Sequence, residues 1–301
     1  MSDKISTLLS QVATVVSVKT SALGMRQVDK EASRASDRAH NAMNGAAKVN
    51  VSRLAGAEDR VKEIISIQSD ARAWAIDATT AWGDRRLLPN ALLEYFMKGW
   101  GEAKSAFEEK VNAFVYDAPD LIARAENNKG TFNVSIPTVE EIRDAFKLEF
   151  QLEPVPDVSK YSSNIMDKAL EAQMKERFEA NIAAAYTEAQ TDAVQRLAKP
   201  LQNLVERMTA YDQRELDKDK GMDVGRAGYF RDSVITNIQE IADVFGSWNL
   251  TGDPVIQKFD DALSAFGGIE AEDLRNNKDL RADVSKRAAD ILEQIKAGGY
   301  L

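Results

Sequence analysis

Asp217-Lys-Asp219-Lys-Gly221-Met-Asp223 sets carboxylates at alternate positions, as a calcium-binding loop does. It departs from that pattern in two places. The glycine stands one position early, and Gly228 occupies the place of the closing bidentate glutamate. The segment reads as the solvated end of a helix. Gly221, Gly225 and Gly228 resemble a phosphate-cradling loop, but no apolar strand precedes them and no Lys-Ser/Thr pair follows, so they read as a flexible loop. His40 is the only histidine, in a polar helical stretch, so a histidine-rich metal site has no second member. Forty-eight Asp and Glu offer many carboxylate pairs, yet none falls in an apolar setting that would tune a general acid and base. Trp74, Trp82, Phe96 and Trp100, with Arg85-Arg86 beside Trp82, come nearest to an aromatic and basic patch for nucleobases. Their helical spacing points to a core instead, and the arginines to ion pairs with neighbouring acids. The sequence therefore nominates no catalytic, cofactor-binding or metal residue, and no cofactor is expected.

Charge and composition narrow the classes further. The chain has 301 residues and a net charge of −9. An acidic whole disfavours broad binding to a phosphate backbone. The exception is residues 1–56, with eight Lys/Arg against four Asp/Glu. That basic segment keeps a nucleic-acid role open as the alternative. Without cysteine there is no disulfide, thiolate ligand or cysteine nucleophile. The longest early apolar run, Val12–Val18, is far shorter than the roughly 20 residues of a membrane span. Residues 1–11 lack the features of a signal peptide. A cytoplasmic protein with no membrane association is expected.

The elements that would position any site are mostly helical. Val12–Val18 is dense in β-branched residues and reads as a strand. Residues 28–43 read as a helix ended by Asn44-Gly45, and residues 57–82 as another, with Gly83-Asp84-Arg85-Arg86 as a polar break. From Pro89 to about Tyr116, Leu92, Phe96, Trp100, Ala103, Phe107, Val111 and Phe114 recur every three or four residues and fall on one face. Asp117-Ala118-Pro119 is expected to break or kink that helix. Thr131–Ile136 and Phe146–Leu152 alternate like strands, separated by a capping-box start at Thr138 to Glu141. A helix of some 50 residues follows over about 165–218, with Pro200 expected to divide it into about 35 and 18 residues. Helices over 229–247, 254–266 and 280–297 complete the chain.

Three stretches carry a family resemblance. They are Leu87-Leu-Pro-Asn-Ala-Leu with the Phe107–Phe114 helix; Pro137-Thr-Val-Glu-Glu-Ile-Arg-Asp-Ala-Phe with Phe150 to Pro156; and Phe230-Arg-Asp-Ser through Trp248-Asn-Leu-Thr-Gly-Asp-Pro. Over about 85–275 the chain resembles an uncharacterised group of bacterial and phage proteins encoded beside MoxR/CobS-type AAA+ ATPases and von Willebrand-type domain proteins. The likeness implies an accessory role beside an ATPase. It supplies no catalytic residues. Residues 20–56 depart from the family pattern.

The resulting expectation is a mainly α protein, an elongated helical bundle with long helices and a small antiparallel β-sheet insertion. Its segments are a basic strand and helix (1–56), a helical hairpin (57–126), a β-rich insertion (127–158), the long kinked helix (159–220) and a C-terminal helical segment (221–301). The expected function is a non-enzymatic adaptor or assembly protein that meets an AAA+ ATPase or another copy of itself. The first part of the long helix is expected to pack within the chain, against residues 57–116. The part after Pro200, with Leu204, Met208 and Tyr211, is expected to meet the partner, and Arg85 and Arg86 are further candidate contacts.

Overall fold

The computed structural model describes residues 3–162, 165, 167–223, 225 and 228–301, except the side chains of residues 3 and 4. The chain forms α1 (Asp3–Val12), β1 (Ala13–Ser21), β2 (Arg26–Asp29), α2 (Lys30–Ala39), β3 (Val49–Ser52) and α3 (Glu58–Asp77). Next come β4 (Thr80–Trp82), β5 (Arg85–Pro89), α4 (Leu93–Asn128), α5 (Val139–Ala145) and β6 (Lys147–Pro154). The remainder is α6 (Lys168–Asp219), α7 (Ser233–Phe245), α8 (Pro254–Leu263), α9 (Ala271–Asn276) and α10 (Lys278–Ala297). The protein is mainly α with a small antiparallel β component, as its periodicity predicts. The sheets are β4-β5-β1-β6 and the pair β2-β3.

Two compact units make up the chain: Met1–Val16 with Ile76–Glu94 and Leu152–Leu301, and Ser17–Ala75 with Tyr95–Gln151. In the second unit the α4 stripe is the core: Phe96, Trp100, Phe107, Val111 and Phe114 are all buried. Phe146 meets Phe114 edge-on at 5.7 Å, and Phe150 meets Trp100 at 5.1 Å. Gly99 is required by its neighbour, since a Cβ there would lie 2.1 Å from the Trp74 ring. Thr138 and Glu141 form the anticipated capping box of α5.

Pro119 does not end α4. The helix runs 36 residues, and Ala118, Leu121 and Ala125 continue its buried stripe past the proline. That burial offsets the one lost backbone bond. The expected strand Thr131–Ile136 does not form. Its alternate N–H groups go to side chains instead: Asn133 donates to Asp29 Oδ2 at 2.7 Å and Ser135 to Gln27 Oε1 at 2.9 Å. The helix expected over 57–82 stops at Asp77, because β-branched Thr79 and Thr80 lead into a strand. Gly83-Asp84 is the turn of a two-residue hairpin, with Gly83 at φ +58°, and Trp82 faces Arg85. The polar break is thus the β4–β5 turn.

In the first unit α6 is the spine. Its 52 residues span about 78 Å, and it stays helical through Pro200 rather than dividing there. Asp167 caps its start by accepting from Leu170 N at 2.8 Å. Before Pro200 it packs on α1 and β4, and after Pro200 on α7 and α10. Gln195 donates to the Tyr300 carbonyl and Arg281 to Asp212, so α10 runs antiparallel along this half. Within the unit, the parts of residues 57–116 that meet α6 include β4, Leu87 and Arg86 of β5, and the Ile76 carbonyl.

Candidate interaction surface

The candidate contact residues fall into two groups, and the fold uses both internally. Leu204, Met208 and Tyr211 are 0%, 1% and 8% exposed. The expected partner face after Pro200 is therefore core, because α10 and α7 cover it. Beside it Arg281, 5% exposed, places its guanidinium 5.0 Å from the Tyr211 ring. It donates to Asp212 Oδ1 at 2.8 Å and to the carbonyls of Leu274 and Arg275 at 2.8 and 2.9 Å. A buried cation needs this full set of acceptors.

Arg85 and Arg86 open β5 and are each held by a carboxylate. Arg85 Nη1 lies 2.6 Å from Glu153 Oε2. Arg86 joins a denser cluster around Asp192 of α6. Asp192 Oδ2 accepts from Ala81 N at 2.7 Å, from Arg86 Nη2 at 3.1 Å and from Arg196 Nη2 at 2.6 Å. Arg86 also reaches the Thr79 hydroxyl and carbonyl, and Arg196 the Ile76 carbonyl. Burial pushes the Asp192 carboxyl above its ordinary range, against the pull of Arg86 and the Ala81 amide. The same burial lowers the Arg86 guanidinium, opposed by Asp192 first. The donors and acceptors here consume one another. The constellation clamps the β4–β5 hairpin onto α6 and commits the Arg86 guanidinium, while Arg85 pairs separately with Glu153.

The other sequence candidates resolve similarly. Trp82, Phe96 and Trp100 are buried, so they present no stacking face to a base. His40 is exposed at the end of α2. Among the described residues no group of three His, Cys, Asp or Glu is placed to hold a metal ion. Val224, Arg226 and Ala227 of the Asp217–Gly228 loop lie outside the described residues. No helix among those described is long and apolar enough to cross a membrane.

The other end of α6 carries a partly exposed apolar face. Pro156, Val158, Tyr161, Phe178 and Ile182 line an apolar groove of about 480 Å³, with Asp157, Lys160 and Asn181 at its edges. Along α6 the apolar positions Leu170, Met174, Phe178 and Ile182 recur every four residues. Ile182 is buried, Phe178 and Met174 are half-buried, and Leu170 is 43% exposed. The stripe thus grows more exposed from the groove toward the helix start, and Ile165, before the helix, is 96% exposed.

Hydrogen bonds tie the groove to α1. On α1, Ser6 is fully buried, donates its hydroxyl to Glu179 Oε1 at 2.6 Å and accepts from Val158 N at 3.3 Å. Glu179 itself is 4% exposed, and its Oε2 makes no hydrogen bond. Asp157 caps the 3-10 turn Val158–Lys160 and accepts from Thr7 at 3.0 Å. The Ser159 hydroxyl, then Lys160 and Thr7, hold its pKa at about 2 against desolvation. The helical period of Met174, Phe178 and Ile182 is visible in the sequence, but a period does not show which part of that face α1, α7 and α10 cover.

Comparison with protein-family models, with curated proteins and with solved structures finds no match to this chain.

Proposed function

We propose that the chain is a non-enzymatic helical adaptor that works by holding another protein, and that its contact face is the N-terminal half of α6 with the adjoining groove. The observation that carries this reading is the Leu170–Met174–Phe178 stripe, which leaves an apolar groove and grows more exposed along a helix whose apolar face is buried from Ile182 to Tyr211. Exposed apolar surface that is contiguous and rimmed by polar groups marks interaction sites more often than isolated exposed residues do. The family resemblance supplies the partner classes: a MoxR/CobS-type AAA+ ATPase or a second copy of the chain, in a bacterial or phage-infected cytoplasm. A nucleic-acid role draws less support, since Arg85 and Arg86 are spent on Glu153 and Asp192.

The test is a capture experiment from the native host. Wild-type chain and a Leu170→Glu/Met174→Glu variant are immobilised in equal, folded amounts. A partner held by the wild type and lost by the variant supports the proposal. Equal capture by both, or no partner together with a strictly monomeric mass, overturns it.

A further inference from the structure

We infer that the occupant of the α6 stripe is a second copy of this chain, docked antiparallel across a two-fold axis near Gln173. This rests on the adaptor reading and names one partner for it.

The charges beside the stripe select the arrangement. Glu171 and Lys175 lie one turn apart on the same edge of the stripe and pair with each other at 3.0 Å. They stand two residues either side of Gln173. A two-fold axis at that position brings Glu171 of each copy opposite the partner's Lys175, twice, by symmetry. The two intrachain pairs become a four-charge cluster of alternating sign without any like-charge contact. In a parallel two-fold pairing the two Glu171–Lys175 edges would fall on opposite sides of the interface and gain no cross-copy ion pair. The charge pattern therefore favours the antiparallel form.

The apolar side chains fit the same axis. Leu170, Met174 and Phe178 step every four residues. With the axis at Gln173, Leu170 of one copy falls between the partner's Met174 and Phe178, and each Met174 lies beside its counterpart. This is the interleaving of facing helical stripes. Leu170, the most exposed of the three, gains the deepest new cover, next to the groove that Phe178 lines. The contact involves about three turns of helix per copy. That is smaller than the interfaces of permanent dimers, so the pairing is expected to be concentration-dependent, with a dissociation constant on the order of micromolar.

The chain has no cysteine, which makes the geometry testable by single thiols in the full-length protein. Gln173→Cys is treated with a bismaleimide of about 10 Å reach, close to the axis spacing of packed helices. Gln195→Cys, exposed on the same helix, is the control. Mass is followed in parallel by sedimentation from about 1 to 200 µM, a range set by the expected affinity. The expected result is a cross-linked dimer at position 173 and not at 195. Wild type should shift from monomer to dimer across the range, and Met174→Glu should stay monomeric with unchanged circular dichroism. A monomer throughout, or equal cross-linking at both positions, overturns the inference. A monomeric chain that still captures a host protein through Leu170 and Met174 would overturn the self-pairing and leave the adaptor reading standing.

Discussion

Two stretches of α6 share a helical period and differ in cover: the apolar face is buried from Ile182 to Tyr211 and half-open from Leu170 to Phe178. After Pro200, Leu201, Leu204, Met208 and Tyr211 vanish beneath α7 and α10. Before it, the same four-residue spacing fades from buried Ile182 to exposed Leu170. Both halves are amphipathic, so amphipathicity alone does not separate a core helix from a docking helix. The difference is supplied by elements distant in sequence. α10 returns along the second half with a buried arginine to bond, whereas among the described residues the start of α6 meets α1, the short turn at Val158–Lys160 and Tyr161.

The contrast should be sharpest in truncations of equal size on the two halves. Leu204→Ala should cost about 3 kcal/mol in urea unfolding, the usual cost of a cavity at a fully buried leucine. Leu170→Ala should stay within about 0.5 kcal/mol of wild type. Equal losses at the two positions would erase the distinction. Arg281→Met removes the cation tying α10 to α6, takes a donor from the Leu274 carbonyl and leaves the Arg275 carbonyl with the long bond from Tyr211. A loss of about 2 kcal/mol is expected, since Asp212 keeps partial access to water. A variant as stable as wild type would mean that apolar packing alone holds the second half.

On the first half, Ser6→Ala withdraws the one side-chain hydrogen bond that buried Glu179 makes among the described residues and should cost about 1 to 2 kcal/mol. No loss would show that water already serves that carboxylate. The tie from Asp157 should reveal itself by pH. Its folded pKa of about 2 lies below the ordinary 3.8, so its contribution is complete above the unfolded value and drains away as pH falls toward 2. Asp157→Asn should therefore be less stable than wild type near neutrality and converge on it in acid. A constant gap between the two unfolding midpoints from about pH 6 to pH 2.5 would contradict that assignment.

Much of this architecture was legible in residue spacing. The α4 stripe from Leu92 to Phe114 turned inward at every large apolar position, and Thr138 with Glu141 announced the start of α5. Local pattern failed where a distant group decided the outcome. Thr131–Ile136 alternates like a strand, but Asp29 and Gln27 take its amides. Gly83-Asp84 looked like a break because a three-residue strand is too short to show a period. α1 is ten residues long and depends on α6 for its burial. The contact face was misplaced for the same reason. Leu204 and Leu170 are both leucines on a long amphipathic helix, and only the return of α10 distinguishes them.

Thiol accessibility on the two halves tests this most directly. Leu170→Cys and Met208→Cys, each the single cysteine of its chain, are labelled with a maleimide in dilute native protein. The account predicts that position 170 reacts nearly as fast as in the unfolded chain. Position 208 should react at least about 100-fold more slowly, gated by opening of α10 from α6. Labelling at 208 as fast as at 170 would contradict it.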